Sequence, residues 1–425
     1  MGISSGVNNN HKSATTNGSS LGAKILIVGA GSTGLALAHG LQKAGIPFVI
    51  FEKEESPTRP RNWSMGCHWA IPSLEYLLPE KIFKQIENAQ VDPHIPTSDN
   101  DRLPLHNGET GELIIEIKSS KFYRLRRDKF RGMMLQGIDV QWGKALVDIE
   151  YSDDRSTVTA KFADGTQDSG ALLVASDGPH SMVRGLLVGE KKARATAIDY
   201  ASTMCFTRYS REQAQFLRAK PHHPLYQVAP HPAGYCAWLS LHDGDDLEHP
   251  DNWIFFHYIS FPEPRDEINT RSMREHVAHQ KGLAKLFADP WRSAFEWMPD
   301  DSEVWYSKLR NWDPTLPGHR WNNRDGRVSL AGDAAHPMTF QRGQGLNHAL
   351  RDAFTMCKAI ESFWNGGNWT PEQRSKVIKE YEEEMIPRTG EEVRLSENNS
   401  VAMHDWKVEE SPSMKKGMNV DKKDA

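Results

Sequence analysis

Three glycines and one carboxylate offer the first chemistry. Gly29-Ala30-Gly31-Ser32-Thr33-Gly34 follows directly on the apolar run Lys24-Ile25-Leu26-Ile27-Val28. This spacing suits the pyrophosphate of a dinucleotide. Gly29 permits a tight turn, Gly31 lets the backbone approach the phosphates, and Gly34 lets helix and strand pack closely. Ser32 and Thr33 open the next helix, whose free N–H groups and positive dipole end attract an anion. Glu52, followed by Lys53, lies about 20 residues on, at the end of a second apolar run, where a carboxylate accepts both ribose hydroxyls. A carboxylate there disfavours a 2′-phosphate, so the turn suits FAD or NAD rather than NADP. Alone it cannot separate those two, and such turns also occur in sheets that bind nothing.

Two later clusters narrow the choice. One is Ala175-Ser176-Asp177-Gly178-Pro179-His180-Ser181-Met182-Val183-Arg184. The other runs from Leu330-Ala331-Gly332-Asp333-Ala334-Ala335-His336-Pro337 through Phe340 to Gly345-Leu346-Asn347, with Arg351-Asp352-Ala353 in the helix beyond. Asp333 ends a buried strand, so its carboxylate can be fixed in place. Gly345, Leu346 and Asn347 open a helix, and a helix N-terminus stabilises negative charge.

In type, order and spacing the three motifs resemble those of the single-component (class A) FAD-dependent aromatic hydroxylases. This is the p-hydroxybenzoate hydroxylase-like family, and the fungal secondary-metabolism members are nearest in character. The resemblance spans roughly residues 23–395. It implies that Asp333 bonds a ribityl hydroxyl while Gly332 makes room, and that Gly345, Leu346 and Asn347 face the flavin pyrimidine. It implies that Asp177-Gly178 serves both FAD and NADPH, with Ser181 and Arg184 holding that turn. Arg127 is implied near the ribityl–pyrophosphate segment, while Arg61, Trp63, Met65 and Gly66 lie where the family runs past the flavin. In the family NADPH (or NADH) visits transiently to reduce FAD, and O2 adds at flavin C4a. The resulting hydroperoxide then hydroxylates or epoxidises a small aromatic or secondary-metabolite substrate. The sequence departs from the family at Phe340, where many members have proline, although Pro337 is kept. Phe340 then roofs the site, stacks on substrate or turns into the core. No catalytic side chain is assigned.

The elements that must position these groups follow from pattern. Strand, glycine turn, helix (Leu35, Leu37, Ala38, Leu41, Ala44) and strand make a βαβ unit. The expected fold is α/β: a Rossmann-like FAD-binding domain of the glutathione-reductase type, with a mainly β substrate domain inserted and a helical C-terminal region. The expected divisions are a disordered leader (1–22), an FAD-binding domain in two parts (23–190 and 311–365), the substrate domain (191–310) and a helical region and tail (366–425). Within the last of these, Pro387 should kink or cap a helix, and Glu409–Ala425 should be frayed. The β stretch carries Tyr226, His231, Tyr235, Trp238, Trp253, Phe255 and His257. Tyr235 and Trp238 are taken as candidate pocket residues, although aromatic strand residues more often build core.

Composition excludes other classes. The 425 residues are 38% hydrophobic and 25% charged, with net charge −5 and no long basic run, so nucleic acid is not an expected partner. No apolar run approaches the ~18 residues of a membrane helix. The four cysteines, Cys67, Cys205, Cys236 and Cys357, have no metal-like spacing and fit a reducing, cytoplasmic setting, with no metal expected. Cys67 beside His68 raises a metal or a covalent flavin link, against which a plain buried thiol is preferred. There is no second Gly-x-Gly-x-x-Gly, no Cys-x-x-Cys and no halogenase Trp-x-Trp-x-Ile-Pro. The remaining alternatives are another flavoenzyme reaction (dehydrogenase, oxidase or epoxidation-triggered cyclase) and a GDI-like binding protein without flavin. Oligomeric state is left open.

Overall fold

The computed structural model describes residues 24–58, 62–364 and 369–418. The leader 1–22, Arg61 and the end of the tail, 419–425, lie outside the described residues. The strand Ile25–Val28 is central in a five-stranded parallel sheet of order Val328–Leu330, Leu172–Ala175, Ile25–Val28, Phe48–Phe51, Val140–Gln141. Both faces of such a sheet are covered, which is why Ile25–Val28 is buried along its whole length and its sequence is unbroken apolar. The helix Ser32–Lys43 packs along the helix Gly345–Trp364 at Gly40. A methyl group there would stand 2.7 Å from Cys357 Sγ and 2.5 Å from Leu77 Cδ2.

The second large element is a seven-stranded sheet of order Val304–Asn311, Thr196–Thr207, Ile254–Pro262, Tyr235–Asp243, Tyr226–His231, Asp101–His106, Leu113–Ser119. Neighbours are antiparallel except for Tyr226–His231 against Asp101–His106. The mixed α/β organisation expected from the sequence is therefore present. The last two strands come from within 23–190, the stretch assigned to the first domain. They join this sheet because Leu105 and Ile117 are buried with Val228, Cys236 and Met403. Val158–Phe162 pairs in a separate antiparallel sheet with Leu146–Tyr151 and Gln167–Gly170.

A helix Pro371–His404 ties the two large sheets together. It starts at a capping box between Thr370 and Gln373 and passes through Pro387 without ending there. Its 34 residues make a rod about 50 Å long. Near one end, the fully buried Arg374 donates to the carbonyls of Ser156, Ala171 and Arg155, and the Tyr381 hydroxyl donates to Leu330 O at 3.0 Å. At the other end, His404 Nε2 lies 2.9 Å from Ser260 Oγ on the seven-stranded sheet. The expectation of a frayed tail is corrected as far as Met418. Arg342 and Gln344 donate to the carbonyls of Gly417 and Met418 at 3.2 and 3.0 Å, and Met418 is buried in an apolar cluster.

Candidate active site

The glycine turn is locked from outside. Gly29 has φ +106°, and a side chain on it would meet Ser176 C at 2.6 Å and Asp177 Cα at 2.8 Å. One on Gly34 would meet Ser176 Oγ at 2.6 Å. Ser176 Oγ donates to Gly29 O at 2.9 Å and Val28 O at 3.1 Å, so the second motif braces the first. Beside Gly31 a methyl would meet nothing within 4 Å, which leaves the backbone approachable. Glu52 is buried; its Oε2 accepts the Ala30 N–H at 3.0 Å and stands 3.8 Å from the Arg131 guanidinium. Lys53, next to it, is exposed. Arg131 also donates to Ala30 O at 3.0 Å and to Pro57 O. No motif singles out Arg131 in the sequence, although it lies four positions after Arg127 and so on the same helix face.

The third motif closes against the first. Gly332 has φ +62°, and a side chain there would collide with Thr33 Oγ1. Asp333 is solvent-accessible, and its Oδ1 lies 4.0 Å from where a Gly345 Cβ would stand, at the start of the Gly345–Trp364 helix. Enough protein surrounds that carboxyl for desolvation to push its pKa up, while His336, Arg184 and Arg127 pull it down. Behind the turn, buried Asp352 accepts the Gly332 N–H at 2.8 Å, bonds His336 Nε2 at 2.6 Å and accepts from Arg388 at 2.8 Å. Burial opposes ionisation of Asp352, but His336 and Arg388 hold its pKa below the usual carboxylate range. Its position in the quoted motif was the available signal; its role needed the fold.

Arg184 and Ser181 are used internally. The Arg184 guanidinium donates to the carbonyls of Ala193, Asp333, Ala334 and Pro179, and Ser181 Oγ caps the helix by accepting the Arg184 N–H. Asp177 Oδ2 accepts the N–H groups of Met182 and Val183 at 2.8 and 3.3 Å, while Oδ1 is buried with no hydrogen-bond partner among the described residues. Asn347 is likewise committed. Its side chain accepts from His68 N at 2.9 Å and donates to Gly66 O at 3.1 Å, so only its backbone is free to meet a ligand. Leu346 beside it is half-buried. Arg127 stacks on Trp63, 4.1 Å from the ring centre.

Cys67 is fully buried and desolvation pushes its thiol up to about 12; His68 is buried and pushed down to about 3 by the same cause. Neither a reactive thiolate nor an exposed imidazole is available for attaching a cofactor.

From His68 a row of rings crosses to the seven-stranded sheet. His68 stacks on Phe122, which meets Tyr226; Tyr226 stacks on Trp238, and Trp238 on Tyr258, with ring centres 5.4–6.3 Å apart. Trp238 and Tyr258 are direct cross-strand partners. Phe340, 39% exposed, meets Tyr258 edge-on at 5.2 Å, so it does not turn into the core. Tyr235, three residues from Trp238, lies on the opposite side of the strand and meets His231 edge-on. Pro337 is buried, with its carbonyl accepting the Trp312 N–H at 2.9 Å. A separate hollow of about 560 Å³, lined by Phe206, Arg271, Trp305 and Tyr306 among others, shares no residue with the motifs or this row.

A parallel sheet with a braced glycine turn, joined to a largely antiparallel sheet, is the fold shared with flavin-dependent hydroxylases of known structure. HpxO of Klebsiella pneumoniae, solved with FAD and uric acid, superposes with a TM-score of 0.69 at 19% identity, over 93% of this chain and 96% of that one. The 2,6-dihydroxypyridine-3-hydroxylase of Arthrobacter nicotinovorans gives 0.67 at 13% identity, over 90% and 93%. A family model described as FAD binding domain matches residues 305–396. In sequence, the FAD-dependent monooxygenase cctM of Talaromyces islandicus is 36% identical over 397 residues, 93% of this chain and 96% of that protein. The FAD-dependent monooxygenase phnB of Penicillium herquei is 36% identical over 400 residues, covering 92% and 94%. The chain belongs to the FAD-dependent monooxygenases of fungal secondary-metabolism type.

Proposed function

We propose that this monooxygenase holds FAD non-covalently, takes its electrons from NADPH (or NADH), and inserts one oxygen atom of O2 into a small aromatic substrate. The observation that carries this reading is the convergence of the three motifs: Ser176 braces Gly29, Gly332 abuts Thr33, and Asp333 lies beside Gly345. In this reading Gly29, Gly31, Ser32, Thr33 and Gly34 receive the pyrophosphate, Glu52 and Lys53 flank the adenosine ribose, and Arg127 and Asp333 meet the ribityl–phosphate chain. The N–H groups at Gly345, Leu346 and Asn347 face the pyrimidine ring, and a helix N-terminus there stabilises negative charge on it. When bound, the flavin supplies the two-electron chemistry that splits O2 between product and water.

The protein's own part is to bind, orient and exclude water. In the ring row, half-buried Phe122 and Trp238 and exposed Phe340 offer apolar faces for an aromatic substrate, with buried Tyr226 and Tyr258 backing them. The four buried free thiols support a reducing, cytoplasmic setting. Among the described residues no helix is long and apolar enough to cross a membrane. The test is direct. Purified protein should be yellow, acid should release free FAD into the supernatant, and an NADPH-consumption screen over phenols, indoles and quinones should find a substrate that gains one labelled atom from 18O2. Flavin left on the acid precipitate refutes non-covalent binding, and stoichiometric H2O2 without oxygenated product refutes monooxygenation.

A further inference from the structure

Arg124 lies in the strand Tyr123–Arg126, paired across from Gly66, with only 7% of its surface exposed. Its guanidinium sits 5.0 Å from the centre of the Trp238 ring. Among the described residues its side chain makes no hydrogen bond or ion pair, and its Nε is fully buried without a partner. Trp238 Nε1 beside it is unpartnered too. The neighbouring arginines differ: Arg126 pairs with Asp128 and Asp243, and Arg131 lies near Glu52. The titratable groups in electrostatic range of Arg124 are the phenols of Tyr226 and Tyr258 and the imidazole of His242, which burial pushes down to about 4 and so keeps neutral. Burial holds both phenols above their ordinary range, so they stay neutral and are no counter-ions. Desolvation pushes Arg124 itself down to about 10, which still leaves it charged at neutral pH. A buried cation without an anion costs several kcal/mol, and proteins normally pair such a charge.

We propose that Arg124 is the substrate-recognition residue of this enzyme, and that the substrate is a flat aromatic molecule bearing an oxyanion, a carboxylate or an ionised hydroxyl. The inference rests on the monooxygenase reading above. The oxyanion accepts from the guanidinium, with Trp238 Nε1 as a second donor, while the ring system lies from half-buried Trp238 toward exposed Phe340, with buried Tyr226 and Tyr258 behind it. A planar fork of donors backed by an aromatic face fits such an anion better than a lysine would.

The experiment uses FAD-loaded full-length enzyme and reads perturbation of the flavin absorbance during titration at neutral pH. The probes are 2-naphthoate against its methyl ester, and 4-hydroxycoumarin, an acidic enol, against 4-methoxycoumarin. Wild type should bind at least one acid about 10- to 100-fold more tightly than its neutral partner, as one charge-assisted bond predicts. The naphthoate and coumarin arms show which oxyanion is preferred. Arg124→Met should erase the preference, leaving affinity for the neutral probes and the FAD-to-protein ratio unchanged, and Arg124→Lys should restore part of it. Should Arg124→Met fail to fold, Arg124→Gln is read by the same ratio. A preference that survives the loss of the charge overturns the proposal, as does a variant that loses FAD instead of probe affinity. FAD-loaded wild type that does not prefer either acid overturns the role of Arg124 alone. Wild type that takes up no FAD overturns the flavin reading, and this inference with it.

Discussion

The glycine turn at Gly29–Gly34 and the ring row at Tyr226, Trp238 and Tyr258 are built in opposite ways. The turn works through its backbone. Its glycines leave the peptide approachable, and its supports arrive as backbone-directed bonds from Ser176, Glu52 and Arg131. The ring row works through side chains from three different strands, held by cross-strand register and by the approach of the Phe340 loop. The turn leaves no room for a side chain at Gly29 or Gly34, whereas a row of rings tolerates exchange of one ring for another. If the turn holds FAD and the row meets substrate, as proposed, the first should reject added atoms and the second should accept ring-for-ring exchange.

Substitutions that add or remove atoms on the two sides test this contrast. Gly29→Ala should do most damage, because the new methyl needs φ +106° and meets Ser176 and Asp177. Strain and overpacking together should cost about 4 kcal/mol, seen as a lower Tm and flavin-free protein. A variant that keeps wild-type Tm and flavin would break the comparison.

Asp352→Asn should come next, at about 3 kcal/mol near neutral pH, because it removes a buried charge from His336 and Arg388. Burial opposes the Asp352 charge, but those partners hold its folded pKa below the ordinary value. A depressed carboxylate contributes stability above its unfolded pKa of about 3.9, and that stability is lost as pH falls through the folded value. Thermal melts of the two proteins should therefore converge in acid. A gap that stays constant to the lowest workable pH would remove Asp352 from the cluster.

Asp333→Ala should weaken FAD by about 1.5–3 kcal/mol, roughly 10- to 100-fold, with the fold intact. Asp177→Ala should keep more flavin, lose about 1 kcal/mol of helix capping, and slow reduction by NADPH at saturating FAD. Fluorescence titration of FAD and stopped-flow reduction separate the two. Equal flavin loss in both variants would sink the distinction.

Phe340→Ala should have the smallest effect on stability, about 0.5–1 kcal/mol for one edge contact with Tyr258. Its expected signature lies in coupling, with near-normal NADPH oxidation, less product and more H2O2. Unchanged coupling would move Phe340 out of the substrate wall and sharpen the division between the two regions.

Much of the cofactor side was legible because its rules are local. A positive-φ turn needs glycine, and a parallel strand buried on both faces needs an apolar run, so Gly29 and Ile25–Val28 could be read in place. The family resemblance, rather than any local rule, marked Asp333 and the Gly345–Asn347 helix start. Arg131 and Asp352 were missed as working parts because their meaning lies in partners 101 and 20 residues away. As far as Met418 the tail departs from expectation for the same reason: its charge suggested fraying, but Arg342 and Gln344 hold its backbone at Gly417 and Met418.

By itself, then, the sequence determined the dinucleotide turn, the motif order and the α/β class, since each depends on the conformations open to a few consecutive residues. Only the tertiary structure decided that Asp101–His106 and Leu113–Ser119 leave the first sheet for the second, that Trp238 faces the ring row while Tyr235 faces away, and that Arg124 ends up buried without an anion. Those outcomes follow from strand register and long-range packing, where a shift of one residue reverses which side chains meet.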